Sequence, residues 1–124
     1  MIENFAQNKP SGFEYKKHPA CVKLAREYLD ANFVRSVSLG ELSLVAGVGK
    51  YYLCREFRRM VGIPPHQYQI QMRINSARKL LLQDKTTAGI AQELGFYDQS
   101  HFGKNFKRLV GITPQSYAAS AIFS

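Results

Sequence analysis

The chain contains one segment twice, and this duplication limits the folds open to it more than any other feature. Residues 95–117 read GFYDQSHFGKNFKRLVGITPQSY, and residues 47–68 read GVGKYYLCREFRRMVGIPPHQY. At an offset of 49, Phe57, Arg59, Val61, Gly62, Ile63, Pro65 and Tyr68 recur as Phe106, Arg108, Val110, Gly111, Ile112, Pro114 and Tyr117. Gly47 pairs with Gly95 at an offset of 48, so the second copy carries one extra residue in its leading turn. A repeat of this kind denotes one supersecondary unit used twice.

Helical projection at 100° per residue sorts each copy into two faces. Leu53, Phe57, Met60 and Val61 fall together, as do Phe102, Phe106, Leu109 and Val110, and both groups are expected to face a core. Tyr51, Arg55 and Arg58 lie opposite in the first copy, and Ser100, Lys104 and Lys107 in the second, with Arg59 and Arg108 at the margins. Each copy therefore carries a cationic outer ridge.

Seventeen Lys and Arg against nine Asp and Glu give a net charge of +8. The excess is uneven: from Ser38 onward there are eleven basic and five acidic residues, and before it six and four. Such a balance attracts nucleic acid or an anionic surface, although a merely solvated basic face gives the same count. No stretch approaches the roughly 20 apolar residues of a membrane span, and residues 1–17 lack the hydrophobic region of a secretory signal. The expected location is the cytoplasm. Cys21 and Cys54 form no CxxC pair, and His18, His66 and His101 stand at no ligand spacing from them, so neither metal nor cofactor is expected. Cys21 falls on an apolar helix face. Cys54 flanks the ridge as a small surface or interface side chain, with a redox role as the alternative. Without a paired nucleophile and base, metal spacing or phosphate-cradling glycine loop, enzymatic activity is not expected.

Taken in order, residues 1–17 show no sustained period and read as a linker or arm. Residues 18–33 read as a supporting helix with Cys21, Leu24, Ala25, Tyr28 and Leu29 on one face. Ser38, followed three residues later by Glu41, opens a short helix with the capping-box pattern, and Leu39, Leu42, Val45 and Ala46 form its inner face. Gly47 turns the chain into the first basic helix. Helix, glycine turn, amphipathic basic helix is the order of a helix-turn-helix over about 38–61, whose second helix enters the major groove. A long helix follows over about 65–83, with Ile70, Ile74, Ala77 and Leu81 inward and Arg73, Arg78 and Lys79 as exterior candidates. Residues 86–94 repeat the short helix with Ile90, Ala91 and Leu94 inward; Gly89 there costs about 1 kcal/mol relative to Ala with no evident purpose. Asp98 is the expected N-cap of the second basic helix, placing the second helix-turn-helix at about 86–110. A last helix runs from Pro114 to about residue 120, and residues 121–124 are expected to fray.

Gly95-Phe96, Asp98 to Phe102, Phe106-Lys107-Arg108 and Gly111 to Tyr117 resemble the signature of the AraC/XylS family of bacterial transcription regulators. The likeness extends from His18 to Tyr117, with support from residues 42–48 and from the spacing of Arg73, Ala77, Leu80 and Leu81. It implies an all-α fold: seven helices over 18–120, forming two helix-turn-helix subdomains joined by the long helix. It further implies promoter binding at the nucleoid, commonly with activation through RNA polymerase. In most members a ligand-sensing or dimerising domain precedes this one, and that domain is not among these residues. Gly49, Pro64, Ser43, Tyr97 and Gly103 depart from the family pattern, and bear on stability and sequence preference.

Carried over by position, the resemblance puts base contacts on Tyr51, Cys54 and Arg55 in the first unit and on Gln99, Ser100, His101 and Lys104 in the second. Lys50, Arg58, Arg59, Lys107 and Arg108 are the phosphate-contacting candidates; such contacts set register and carry no sequence information. Arg55 has the donors for bidentate recognition of guanine, with a phosphate clamp as its alternative. Tyr51 has a thymine methyl or a role covering the turn, Gln99 an adenine or a phosphate, and His101 projects toward the flank. The long helix, about 28 Å at 1.5 Å per residue, falls short of the roughly 34 Å between successive major grooves, so DNA bending or partial engagement of the second unit is expected. Because the two ridges differ in sequence, the expected site is an asymmetric stretch of double-stranded DNA. A helical module that docks an acidic protein partner is the competing reading.

Overall fold

The computed structural model describes residues 19–122, and among them every regular element is an α-helix. The order is α1 Pro19–Asn32, α2 Leu39–Ala46, α3 Lys50–Val61, α4 Pro65–Leu81, α5 Thr87–Glu93, α6 Gln99–Val110 and α7 Pro114–Ile122. The expected arm over 1–17 lies outside the described residues. Two compact units divide the chain, one formed by residues up to Leu29 and Ser38–Pro65, the other by Asp30–Val37 and the chain from His66.

In the first unit α1 buries Cys21, Val22, Ala25 and Leu29. Leu24, expected on that face, is instead 45% exposed. The buried stripe is centred further round the helix, leaving Leu24 roughly 110° away at 100° per residue. Ser38 caps α2 by accepting the Glu41 N–H at 3.0 Å, and the Glu41 carboxylate accepts the Tyr28 hydroxyl. Gly47 then adopts φ +73° and returns its N–H to the Ser43 carbonyl. The Ser43 hydroxyl donates to the Val48 carbonyl, which fastens the turn before α3. α3 packs on α2 and places Leu53 and Phe57 in the interior with no exposed surface.

The second unit repeats this plan around a larger core. Ile70, Ile74, Ala77 and Leu81 of α4 cluster with Ile90, Ala91 and Leu94 and with Phe96, Phe102 and Phe106. The aromatic rings meet edge-on or tilted, Phe96 to Phe102 at 5.2 Å and Phe102 to Phe106 at 5.7 Å, geometries that suit the ring quadrupoles. Tyr117 of α7 joins them, 5.5 Å from Phe106.

Arg73 corrects an expectation, because it is only 8% exposed rather than exterior. Its guanidinium donates to the carbonyls of Phe33 at 2.6 Å, Gly95 at 2.9 Å and Arg35 at 3.2 Å, and lies over the Phe96 ring at 5.5 Å. Gln69, 5% exposed, donates to the same Phe33 and Arg35 carbonyls. Five fixed donors make a guanidinium suited to gathering chain ends that have no helical partners. Burial pushes its pKa below the ordinary arginine value.

Two helix ends and two core positions also differ from the sequence reading. α4 has 17 residues and ends at Leu81, where Leu82 and Gln83 close i→i−3 turns and Asp84 takes a left-handed φ of 61°. α7 continues to Ile122, past the expected frayed point. Met60 and Leu109, expected in the cores, are 47% and 38% exposed. They occupy equivalent positions in the last turns of α3 and α6. Gly89 acquires a local account: a Cβ there would stand 3.0 Å from Thr86 Oγ1, the atom that caps α5 by accepting the Gly89 N–H.

Candidate nucleic-acid interface

α3 begins at Lys50 after Gly49, whose β-region backbone opens the helix without a side-chain cap. With Leu53 and Phe57 fixed inward, the helical period sends Tyr51, Arg55 and Arg58 outward. Tyr51 is 91% exposed and the Arg55 side chain 69%. Lys50, Arg58 and Arg59 are also exposed, and Cys54 is half-buried at the ridge's edge with a free thiol. The Arg55 guanidinium sits over the Tyr52 ring at 5.3 Å.

One acid lies within this basic surface. The Glu56 carboxylate accepts from Arg59 Nη2 at 2.7 Å and Nε at 3.1 Å and stands 3.7 Å from Arg55 Nε. Its side chain is 14% exposed. The Arg59 hydrogen bonds hold its carboxyl below the usual carboxylate range, against the opposing effect of burial. Sorting the helix by charge sign leaves Glu56 out of the candidate set, although its three-residue spacing from Arg59 was a readable signal.

α6 is capped by Asp98, whose Oδ1 accepts the His101 N–H at 2.7 Å. Ser100, Lys104, Lys107 and Arg108 are exposed. Gln99 is exposed too, but its side-chain amide donates to Thr87 Oγ1 at 2.5 Å, which ties the start of α6 to α5. His101 is half-buried, edge-on to Phe96 at 5.5 Å, and its Nδ1 is buried without a hydrogen-bond partner. It therefore offers less surface than Ser100 or Lys104. Gly103, at the position of Cys54, leaves open space where a Cβ would stand. Tyr97, not among the sequence candidates, is 91% exposed in the turn before α6. The Arg108 guanidinium donates to Asn105 Oδ1 at 2.8 Å, so the Arg59–Glu56 fastening recurs with a neutral acceptor.

Each unit is thus a short capped helix, a glycine turn and a second helix with an aromatic inner face and a cationic outer face. Among the described residues, no helix is long and apolar enough to cross a membrane.

A helix-turn-helix domain model matches residues 42–120. The uncharacterized regulator YbfI of Bacillus subtilis is 44% identical over 80 residues, covering 64% of this chain and 29% of its own length. The transcriptional activator AarP of Providencia stuartii is 32% identical over 94 residues, covering 75% and 70% respectively. Among solved structures, an AraC-type regulator from Chromobacterium violaceum superposes with a TM-score of 0.76 at 28% identity, over 84% of this chain and 94% of that one. The DNA-binding domain of AdpA, solved in complex with a target DNA, gives 0.68 at 26% identity, over 83% and 90%. The match spans 29–38% of the length of curated relatives such as YbfI, LumQ and YdiP. The duplicated units, the seven helices and these likenesses agree: the chain belongs to the AraC/XylS family of transcription regulators, and what it carries is their helix-turn-helix DNA-binding domain.

Proposed function

We propose that this domain reads an asymmetric promoter site, with α3 and α6 in successive major grooves of one duplex, and that the protein acts as a transcription activator. The observation that carries the reading is the exposure of Arg55 and Lys104 at equivalent positions on two unlike ridges. Different side chains on the two helices imply different half-elements, so the site needs no palindrome. In the first half-element Arg55 binds guanine O6 and N7, Tyr51 packs on a thymine methyl, and Cys54 lines the same edge. In the second, Ser100 and Lys104 take base edges, Gln99 does so on leaving Thr87, and His101 contributes from the flank. Lys50, Arg58, Lys107 and Arg108 grip phosphates and fix the register, and Arg59, the remaining phosphate candidate, is tied to Glu56. Activation is supported by the function named for AarP, and contact with RNA polymerase follows as the means. A ligand-sensing or dimerising domain elsewhere in the whole protein is consistent with the fraction of its relatives that this chain spans.

The test is selection of bound duplexes from random DNA with the wild type, Arg55→Ala and Lys104→Ala. Each substitution is expected to erase preference in its own part of the site and to leave the other part intact. A lack of sequence preference in the wild type, with binding that persists at moderate salt, would point instead to an acidic protein partner.

A further inference from the structure

The two units differ at one position in a way their shared plan does not require. Arg59 and Arg108 are equivalent, and each is fastened to the residue three places earlier, Glu56 in α3 and Asn105 in α6. The acceptor is a carboxylate in the first unit and an amide in the second. Asn105 is itself anchored, donating to the His101 carbonyl at 2.9 Å. Each arginine is thus held from three residues earlier, by two bonds to the carboxylate in α3 and by one to the amide in α6, while charge differs by one. A neutral acceptor suffices to hold the arginine, so holding alone does not account for the acid.

We propose that Glu56 is a specificity-determining residue of the first unit, which neutralises Arg59 and steadies Arg55 so that α3 grips phosphate less and reads bases more selectively than α6. The proposal rests on the DNA-reading function set out above. Glu56 Oε1 takes two donors of Arg59, and Oε2 faces Arg55 Nε at 3.7 Å. A carboxylate so placed repels nearby phosphate and lowers sequence-independent affinity without touching a base. It also restrains the Arg55 guanidinium, which rests over Tyr52. In α6 the neutral Asn105 leaves the full charge of Arg108 available to the backbone.

Binding is measured on the selected duplex and on a scrambled one across a salt series, for wild type, Glu56→Gln and the double variant Glu56→Gln/Arg59→Gln. Glutamine keeps an acceptor for Arg59 and removes only the charge. Glu56→Gln is expected to tighten binding to scrambled DNA by about threefold to tenfold and to steepen the slope of log K against log salt by up to about 0.9, the increment for one further neutralised phosphate. The ratio of selected to scrambled affinity falls, because Arg55 also loses the carboxylate that restrains it. The double variant returns the slope to the wild-type value, because the freed charge is that of Arg59. An unchanged slope and ratio in Glu56→Gln overturn the proposal, as does a steepened slope that persists in the double variant. Absence of salt-dependent duplex binding by the wild type is a different result, and overturns the function on which the proposal rests.

Discussion

Gly47 and Gly95 show how far a repeat can be trusted at the level of single residues. Both occupy left-handed backbone, at φ +73° and +82°. A Cβ at Gly47 meets nothing within 4 Å, whereas one at Gly95 would stand 2.0 Å from the Val34 carbonyl oxygen. Gly47→Ala is therefore expected to cost only the left-handed strain, about 1–2 kcal/mol, and Gly95→Ala about 4 kcal/mol or more, a value that signals backbone displacement. Denaturant unfolding of the two variants measures the difference. Arg73→Met removes the hydrogen bonds to the carbonyls of Phe33, Arg35 and Gly95, of which Gln69 still serves the first two; an expected loss of about 3 kcal/mol is read the same way. Neither the tight approach at Gly95 nor the burial of Arg73 was legible in the sequence. The atoms responsible, at residues 33–35, lie about 40 and 60 positions away along the chain from Arg73 and Gly95 respectively. Periodicity reports a direction around one helix and carries no information about what the fold brings to meet it.

Among the elements, helix starts were legible with or without a readable cap: α4 and α7 begin at the expected Pro65 and Pro114, and Ser38 and Asp98 accept the N–H three residues on, as Thr86 also does. The phenylalanines of α3 and α6 were equally legible, since an aromatic at matching positions of a repeat has few uses outside a core. The last turns were not: Met60 and Leu109 have the correct angle yet lie in the light, because the period cannot say how far along a helix its neighbours reach. Asp98→Ala is expected to cost about 1 kcal/mol of stability, while Gly49→Ser gains only a few tenths, as Gly is a fair N-cap already. Both are measurable as shifts in thermal midpoint. Within α3, a carboxyl held below its usual range stabilises the folded chain at neutral pH, and this stabilisation fades as pH falls through that lowered value. The stability–pH profile of Glu56→Gln should lack this acid-side contribution.

For the molecule as a whole, net charge allowed an anionic partner or a merely solvated basic face, and the duplicated helix-turn-helix pattern, not the charge, pointed to DNA. Arg58 and Lys107 lie exposed on the two ridges, and Arg58→Gln and Lys107→Gln are each expected to lower the salt slope by about 0.9 while leaving the selected sequence unchanged. A shift in selected sequence would move that residue from phosphate to base contact. The division into units has a further consequence. The second unit is not a contiguous stretch: Asp30–Val37 belongs to it, and the Phe33 and Arg35 carbonyls that receive Arg73 sit there, upstream of the matched span 42–120. A fragment begun at α4 thus inherits a guanidinium stripped of two of its three acceptors, and excising the second unit as an independent folding piece requires carrying along the end of the first helix.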